Sequence, residues 1–325
     1  MKEWLLIVSL ILLFLLTGCQ NQGVQKQIES KEVRIGILNV PNDVAMSIGN
    51  HRLQKAYQQK GVKVTFITFD SGVDANKALL SNSIDFATMG DANAIVALAA
   101  DVPAKLIWLN DLIGDNEALV MKESIESVED LAGKRLATTF ASTSYYSLLQ
   151  YLKTNHLEDK VQLFDLQTQE IVAAWERGDI DGAYTWQPAL AKLIDGQIIY
   201  DSQQATSEGI ITGNVTLVRT QFMNSSPELV QLFVDILNQT HQEYQRTPKT
   251  VIKTLASELA LTEAEVNQQI GSSRWLVKRA MKRELTGNFF KALEKTGDFL
   301  GERQNLVFTP EESDYQKFVV SKFLE

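Results

Sequence analysis

Short apolar segments alternate with amphipathic ones along the first part of the chain. Strand-like runs cover residues 33–38, 62–69 and 84–89. A polar loop at 39–43 follows the first run, and a helix-like stretch then extends to Lys60. A second helix-like stretch precedes the third run. This β-α-β-α-β order predicts a parallel sheet with helices on its faces.

The same order of elements recurs further along the chain. Residues 134–138, 161–166 and 182–184 are strand-like, with helix-like stretches between them. The dipeptide Ile-Asp lies between a helix and a strand in both halves, as Ile84-Asp85 and as Ile180-Asp181. The repetition predicts two similar α/β lobes. Coincidence is the alternative, because Ile-Asp is a common dipeptide.

Residues 226–305 have a helical pattern instead, and we expect this tail to pack back onto the first lobe. Within it, Thr262 and Glu265 have the spacing of a capping box at the start of a helix. A chain that returns in this way crosses between the lobes twice, near residues 108–120 and 208–219. Two such crossovers predict a hinge, with a cleft between the lobes.

The chain opens with a predicted targeting sequence. Residues 4–16 are apolar except for one serine, a run that is short for a bilayer span but typical of a signal-peptide core. Leu16-Thr17-Gly18-Cys19 resembles the bacterial lipobox, in which cleavage precedes the cysteine and the thiol carries lipid. A secretory signal with an incidental cysteine and a retained transmembrane anchor are the alternatives. We expect lipidation of Cys19 and a protein held at the extracytoplasmic face of the cell membrane.

The segment after Cys19 is polar and nearly free of apolar residues, which predicts a flexible tether. The predicted organisation therefore has five parts. They are a lipoprotein signal peptide at 1–18, the tether at 19–30, the first part of lobe 1 at 31–113, lobe 2 at 114–214, and the return to lobe 1 with C-terminal helices at 215–325.

Composition and missing motifs exclude several classes of function. The chain has 325 residues, a formal charge of −9 and a single cysteine, which disfavours a disulfide framework, a thiolate zinc site and general nucleic-acid binding. Its three histidines lack the spacing of metal ligands. The sequence contains neither a glycine-rich nucleotide loop nor a G-x-S-x-G nucleophile motif. We therefore expect no metal, no cofactor and no catalysis.

A loop rich in hydroxyl groups is the strongest candidate for binding a ligand. Ligands of open parallel sheets bind at the carboxyl ends of strands, beside helix N-termini. Residues 139–146 occupy such a place and include Thr139, Ser142, Thr143 and Ser144. Exposed amides and the positive end of a helix dipole would hold a small anion there. Simple N-capping by serine and threonine is the alternative.

Aromatic and acidic residues could complete this site. Glu117 lies at a predicted crossover beside an apolar strand, where a buried acid would need a cation to compensate it; an exposed turn is the alternative. Asp91 is similar. Trp186 lies at the end of a predicted strand, where its side chain would line the cleft or contact a cation. Packing in the core is the alternative. The strand-end rule also selects the loop 39–43, which contains Asn42.

Several stretches together are typical of one family. The longest is Ala173–Tyr184, and the others are Phe69–Gly72, Asn116–Val120, Asp130–Arg135, Ser142–Leu149 and Asp314-Tyr315. With these motifs the whole mature chain resembles the solute-binding proteins of ABC importers, in the taurine, alkanesulfonate and nitrate branch, and most of all the taurine-binding proteins. The resemblance implies an α/β, two-lobed periplasmic-binding-protein fold of type II, with a mostly parallel sheet in each lobe and two crossover hinge strands. It also implies a monomer that closes on a small ligand and docks on an ABC permease.

The resemblance assigns roles to individual residues. The loop Ser142-Thr143-Ser144-Tyr145 would take a sulfonate, and Glu117 an ammonium group, with Trp186 nearby. Two positions depart from the family pattern. Asp91 stands in a loop that is often Gly-Ser-Ser-Pro, and Asn214 aligns where close taurine binders commonly have an acid.

Those departures leave two interpretations. Either Asp91 supplies the acid that Asn214 lacks, or the ligand differs from taurine. Another sulfonate, an aminophosphonate, a nitrate-like anion or a vitamin precursor remains open as the ligand. An enzyme of thiamin metabolism on the same fold, or a surface adhesin, is the alternative class.

Overall fold

The computed structural model describes residues 32–193 and 195–325, which contain two five-stranded sheets. The strands are β1 (Glu32–Leu38), β2 (Lys63–Phe69), β3 (Phe86–Gly90), β4 (Ala104–Leu112), β5 (Glu117–Met121), β6 (Arg135–Thr138), β7 (Gln162–Asp165), β8 (Gly182–Trp186), β9 (Gln197–Asp201) and β10 (Gly213–Arg219). Their order is β2-β1-β3-β10-β4 in the first sheet and β7-β6-β8-β5-β9 in the second.

Helices flank both sheets. They are α1 (Asp43–Gly49), α2 (Arg52–Gln59), α3 (Gly72–Leu80), α4 (Asp91–Ala99), α5 (Thr143–Thr154), α6 (Thr168–Arg177), α7 (Ser202–Ser207), α8 (Thr220–Ser225), α9 (Pro227–Arg246), α10 (Pro248–Leu259), α11 (Glu263–Ile270), α12 (Lys278–Leu285), α13 (Asn288–Glu302) and α14 (Glu312–Phe318). Strands β3 and β5 are buried along their whole length, as expected of strands covered by helices on both faces.

Each sheet is mixed. Strand β1 is parallel to β2 and β3, whereas β10 is antiparallel to β3 and β4. In the second sheet β6 is parallel to β7 and β8, whereas β5 is antiparallel to β8 and β9. The antiparallel strands β5 and β10 each begin just after the chain has crossed from the other sheet. The predicted two-lobed α/β class is confirmed, with this antiparallel addition.

The repeated Ile-Asp pattern corresponds to a repeated set of contacts. Asp85 accepts hydrogen bonds from the backbone and side chain of Arg34, at 2.9 Å from N and 3.1 Å from Nε. Asp181 accepts the equivalent bonds from Arg135, at 2.8 Å and 3.1 Å. In each sheet this aspartate therefore fixes the start of the strand beside it. The echo in the sequence reflects a structural repeat rather than coincidence.

The C-terminal helices pack on the first sheet. Phe233 of α9 stacks on Phe86 of β3 with ring centroids 4.4 Å apart, and Phe289 of α13 belongs to the same buried cluster. We call this assembly, with the first sheet and helices α1–α4, lobe 1, and the second sheet with α5–α7 lobe 2. The predicted segment boundaries themselves stay predictions.

Two local predictions have different outcomes. The capping box of α11 is confirmed, because Thr262 Oγ1 accepts from the Glu265 amide at 3.2 Å and Glu265 accepts from the Thr262 amide at 2.7 Å. The prediction of one helix up to Lys60 is wrong. The chain forms α1 and α2 instead, because His51 adopts a left-handed φ of 59° between them.

The predicted signal peptide, tether and Cys19 lie outside the described residues. Within the described ranges, no helix combines the length and the apolar composition that crossing a bilayer requires.

Candidate functional site

A cavity of about 60 Å³ lies between the two lobes, where the strand ends of both sheets meet. A single water needs only about 10–15 Å³ of such volume, so this cavity has room for more than one water-sized group. A molecule of a few heavy atoms fits that space. The lining is mixed, with polar side chains from both lobes and a few apolar ones: Leu38, Val40, Pro41, Ser71, Gly72, Gly90, Asn93, Asp111, Ile113, Asn116, Glu117, Thr139, Ser142, Thr143, Trp186, Gln187, Asn214 and Gln269.

The N-terminus of α5 forms one wall of the cavity. Ser142 caps the helix, since its Oγ accepts from the Tyr145 amide at 3.2 Å and donates to the Thr139 carbonyl at 2.6 Å. Thr139 Oγ1 in turn donates to the Leu166 carbonyl at 2.8 Å. The hydroxyl protons of Ser142 and Thr139 are therefore already engaged. The amides of Thr143 and Ser144, the first two residues of α5, have no acceptor within the helix and remain as donors for an anion.

Glu117 forms a second, acidic wall. It is the first residue of β5, where it pairs with Trp186 of β8, and it is 2% exposed. Its Oε1 accepts from Thr143 Oγ1 at 2.6 Å, and its Oε2 accepts from Ser202 Oγ at 3.0 Å. Burial raises the pKa of Glu117, and the hydroxyl donors oppose that rise. The carboxyl group is thus held in place at the cavity, and a cation would stabilise its charged form.

Asp111 and Asn214 line the same cavity from lobe 1. Asp111 lies near the end of β4, opposite Asn214 in the register of β4 and β10. Its Oδ1 accepts from Asn214 Nδ2 at 2.9 Å and from the Asn214 amide at 3.2 Å. Burial raises the pKa of Asp111 to about 6, while the hydrogen bonds from Asn214 act in the opposite direction. The cavity therefore has an acid on each side.

Six of the residues selected from the sequence line this cavity. They are Glu117, Thr139, Ser142, Thr143, Trp186 and Asn214. Their roles toward a ligand stay predictions, but the structure brings them together as the strand-end rule expects.

The other four selected residues lie close behind the lining. Asn42 caps α1, accepting from the Ala45 amide at 2.8 Å, and its Nδ2 has no hydrogen-bond partner. Ser144 is fully buried beside Glu117, and its hydroxyl helps to lower the pKa of that carboxyl group. Tyr145 donates to Asn305 Oδ1 at 3.2 Å, which directs its hydroxyl toward lobe 1 and away from the cavity lining.

Asp91 is the fourth residue behind the lining. It is the first residue of α4 and is completely buried, with Oδ2 accepting from the Gly213 amide at 3.2 Å. Its Oδ1 has no hydrogen-bond partner. Burial raises the pKa of Asp91 well above its usual value, and the charges of Glu117 and Asp111 add to that rise.

Sequence reasoning missed part of the lining. Asp111 was overlooked because it lies near the end of a mainly apolar strand, although it is as close to the first crossover as Glu117. Asn93 was overlooked because its role joins distant segments: its Nδ2 donates to the Ala141 carbonyl of lobe 2 at 2.7 Å. The remaining missed polar residues are Ser71, Asn116, Gln187 and Gln269.

Comparison with known sequences identifies the group to which this fold and cavity belong. Residues 56–251 match the NMT1/THI5-like family. The chain belongs to that family. A taurine-binding periplasmic protein of Escherichia coli (strain K12) is 35% identical over 276 residues, covering 82% of this chain and 86% of that protein. This member of the NMT1/THI5-like family is thus similar in sequence to a periplasmic binding protein, as its motifs predicted.

Solved structures resemble this family member over nearly its whole length. The alkanesulfonate-binding protein SsuA of Xanthomonas axonopodis pv. citri, bound to MOPS, has a TM-score of 0.72 at 22% identity, over 90% of this chain and 99% of that one. The aliphatic sulphonate-binding protein SsuA of E. coli has a TM-score of 0.71 at 18% identity, over 88% and 91%. These similarities confirm the periplasmic-binding-protein fold.

Proposed function

We propose that this protein is an extracytoplasmic, lipid-anchored solute-binding protein that captures taurine or a related small sulfonate and delivers it to an ABC importer. The observation that carries the proposal is that one small cavity contains both an anion-binding and a cation-binding group. The first amides of α5 form an anion-binding wall, and Glu117 forms a cation-binding wall. A short zwitterion with a sulfonate at one end and an ammonium at the other matches both.

Affinity for so small a ligand depends on enclosure. Micromolar binding corresponds to about 8 kcal/mol, and a ligand of a few heavy atoms reaches that only if nearly every polar group finds a partner. The lining supplies partners from both lobes, so the ligand's contacts with the second lobe would favour the closed arrangement. Capture and release of the ligand break no covalent bond.

The test compares two ligands that differ in the amine alone, taurine and ethanesulfonate. Glu117→Gln should weaken taurine binding by about tenfold or more in calorimetry, since a charged hydrogen bond is lost, and should leave ethanesulfonate nearly unchanged. Glu126→Gln, which removes an exposed acid of the same lobe, is the matched control and should alter neither affinity. Equal losses for both ligands in Glu117→Gln would remove Glu117 from the ammonium role.

The family's other ligand classes are separated by a thermal-shift panel. Taurine, ethanesulfonate, an aminophosphonate, nitrate and a heterocyclic vitamin precursor are compared at equal concentration, because a ligand that binds the folded state more tightly stabilises it more. Taurine should give the largest shift. A larger shift with the vitamin precursor or with nitrate would replace the sulfonate as the proposed ligand.

The anchor rests on the sequence of the first nineteen residues. Cleavage before Cys19 would leave a lipid-bearing cysteine followed by a polar tether, which keeps the lobes near a permease in the same membrane. Mass spectrometry of the mature N-terminal peptide tests this step. An acylated Cys19 at the first position is expected, and an unmodified thiol or a start at another residue would contradict the anchor.

A further inference from the structure

Asp111 is a buried acid at the first crossover between the lobes. It lies on β4, directly before the first crossover, and is 6% exposed on the cavity. Among the described residues, neither Asp111 nor Glu117 nor Asp91 has a lysine, arginine or histidine nitrogen within 4.0 Å. Buried carboxyls normally have a cation or a metal as partner.

The hydrogen bonds of Asp111 leave one of its oxygens available. Both bonds that the described residues donate to it come from Asn214, and both end on Oδ1. Oδ2 therefore has no protein donor, although the side chain lines the cavity. Asn214 fixes the orientation of the carboxyl group and does not neutralise it. This arrangement is suited to an additional donor that comes from the cavity.

We propose that Asp111 is a second carboxylate for the ligand's ammonium group, opposite Glu117, and that the pair selects aminosulfonates over plain alkanesulfonates. This inference rests on the proposed function, since it assigns the cationic end of the same ligand. The second acid of the site is therefore Asp111 on β4. It is neither at position 214, which is an asparagine, nor Asp91, whose carboxyl group lies behind the lining. The described carboxyls do not form a group with metal-binding geometry, which favours an organic cation.

The groups around Asp111 determine how strongly a bound cation would stabilise its carboxylate form. Burial and the carboxylate of Asp43 on α1 raise the pKa of Asp111, whereas Asn214 and His241 on α9 lower it, with a balance at about 6. Asp111 in turn raises the pKa of the buried Asp91 on α4. An ammonium group in the cavity would counter all of these repulsions.

The test measures taurine and ethanesulfonate affinities by calorimetry for the wild type, Asp111→Asn and Asp115→Asn. Asparagine keeps the Oδ1 acceptor for Asn214 but removes the charge. Asp115 is an exposed acid of the same crossover, whose Oδ1 accepts from the Ser272 amide at 2.7 Å, so its amide variant is a matched control. Asp111→Asn should weaken taurine about tenfold or more and leave ethanesulfonate equal or tighter, while Asp115→Asn should change neither.

Three outcomes would overturn the inference. The first is an unchanged taurine affinity in Asp111→Asn. The second is an equal loss of taurine and ethanesulfonate affinity in Asp111→Asn, which would show that the acid has a structural role. The third is a loss of taurine affinity in Asp115→Asn as large as that in Asp111→Asn. The wild type separates this inference from the proposed function. If the wild type binds taurine in a Glu117-dependent way while Asp111→Asn retains full affinity, only the role of Asp111 fails. If the wild type does not bind taurine, the proposed function fails first.

A pH series gives an independent readout. At pH 5 a carboxyl with a pKa of about 6 is roughly one-tenth ionised, so wild-type taurine affinity should fall about tenfold between pH 7 and pH 5. Asp111→Asn should show a distinctly smaller fall. An identical fall in the variant would assign the pH dependence to another group and contradict the ionised role of Asp111.

Discussion

Asp91, Asp111 and Glu117 show at the scale of single residues how the cleft differs from the core around it. All three are buried, and burial raises the pKa of each. Hydrogen bonds from Thr143, Ser202 and Asn214 reduce this penalty without providing a positive charge. Such acids lower the stability of the empty protein and raise its affinity for a cation, a combination typical of binding sites.

Stability measurements on Asp111→Asn test directly whether this buried acid lowers the stability of the protein. The folded protein holds the Asp111 proton up to about pH 6, whereas the unfolded chain loses it near pH 4. Between those values the folded state binds more protons, so this group makes the free energy of unfolding fall as pH rises. Without ligand, the free energy of unfolding of Asp111→Asn, measured in urea, should therefore be about 1–3 kcal/mol higher than that of the wild type at pH 7.5. At pH 4 the two values should differ little. A variant that is less stable than the wild type at pH 7.5 would contradict this account.

The sequence predicted some of these residues and not others, for a physical reason. Glu117 could be selected because it follows a polar turn and opens an apolar strand at a crossover. Asp111 could not be paired with Asn214 beforehand, since that contact depends on the antiparallel register of two strands about a hundred residues apart. Side chains that act through long-range pairing have no local signature.

Helix α5 is the element on which the anion-binding wall depends. Its twelve residues begin at Thr143, with Ser142 as the cap, so the helix points its first amides at the cavity. Local sequence was enough to predict this arrangement, because a strand, a Ser/Thr-rich loop and a helix occur in succession. The same reasoning failed for α1 and α2, where a left-handed His51 breaks an apparently continuous pattern.

Removing the α5 cap should affect stability and binding together. Ser142→Ala should lower stability by about 1 kcal/mol and weaken taurine and ethanesulfonate by a similar factor, since both share the sulfonate. Thr262→Ala removes an equivalent cap from α11 and is the matched control, because its Oγ1 also accepts from the amide three residues on. It should lower stability similarly and leave both affinities unchanged. Calorimetry that shows unaltered sulfonate binding in Ser142→Ala would separate α5 from the anion site.

Contacts between the lobes determine how the whole molecule closes. Asn93 of lobe 1 donates to the Ala141 carbonyl of lobe 2 at 2.7 Å, beside the cavity. An apolar cluster that includes Tyr146 of α5 and Phe299 of α13 adds to this closed arrangement, with the two rings 5.5 Å apart in an edge contact. Ligand binding and lobe closure are therefore expected to be coupled.

Asn93→Ala should shift that balance toward an open form. The loss of one bridging hydrogen bond should weaken taurine and ethanesulfonate by the same factor, about three- to tenfold, and increase the radius of gyration in solution scattering. Asn155→Ala is the control, because Asn155 Nδ2 donates to the Tyr151 carbonyl within lobe 2 alone. A loss confined to taurine would instead indicate that Asn93 contacts the amine end of the ligand.

The central claim is that one small cavity binds both ends of a zwitterion. Calorimetry of the wild-type protein with taurine, ethanesulfonate and ethylamine at pH 7 tests it most directly, because the second ligand lacks the ammonium and the third lacks the sulfonate. Since each charged contact contributes about 1.5–3 kcal/mol, taurine should bind at least about tenfold more tightly than either analogue. An analogue that binds as tightly as taurine would contradict the account.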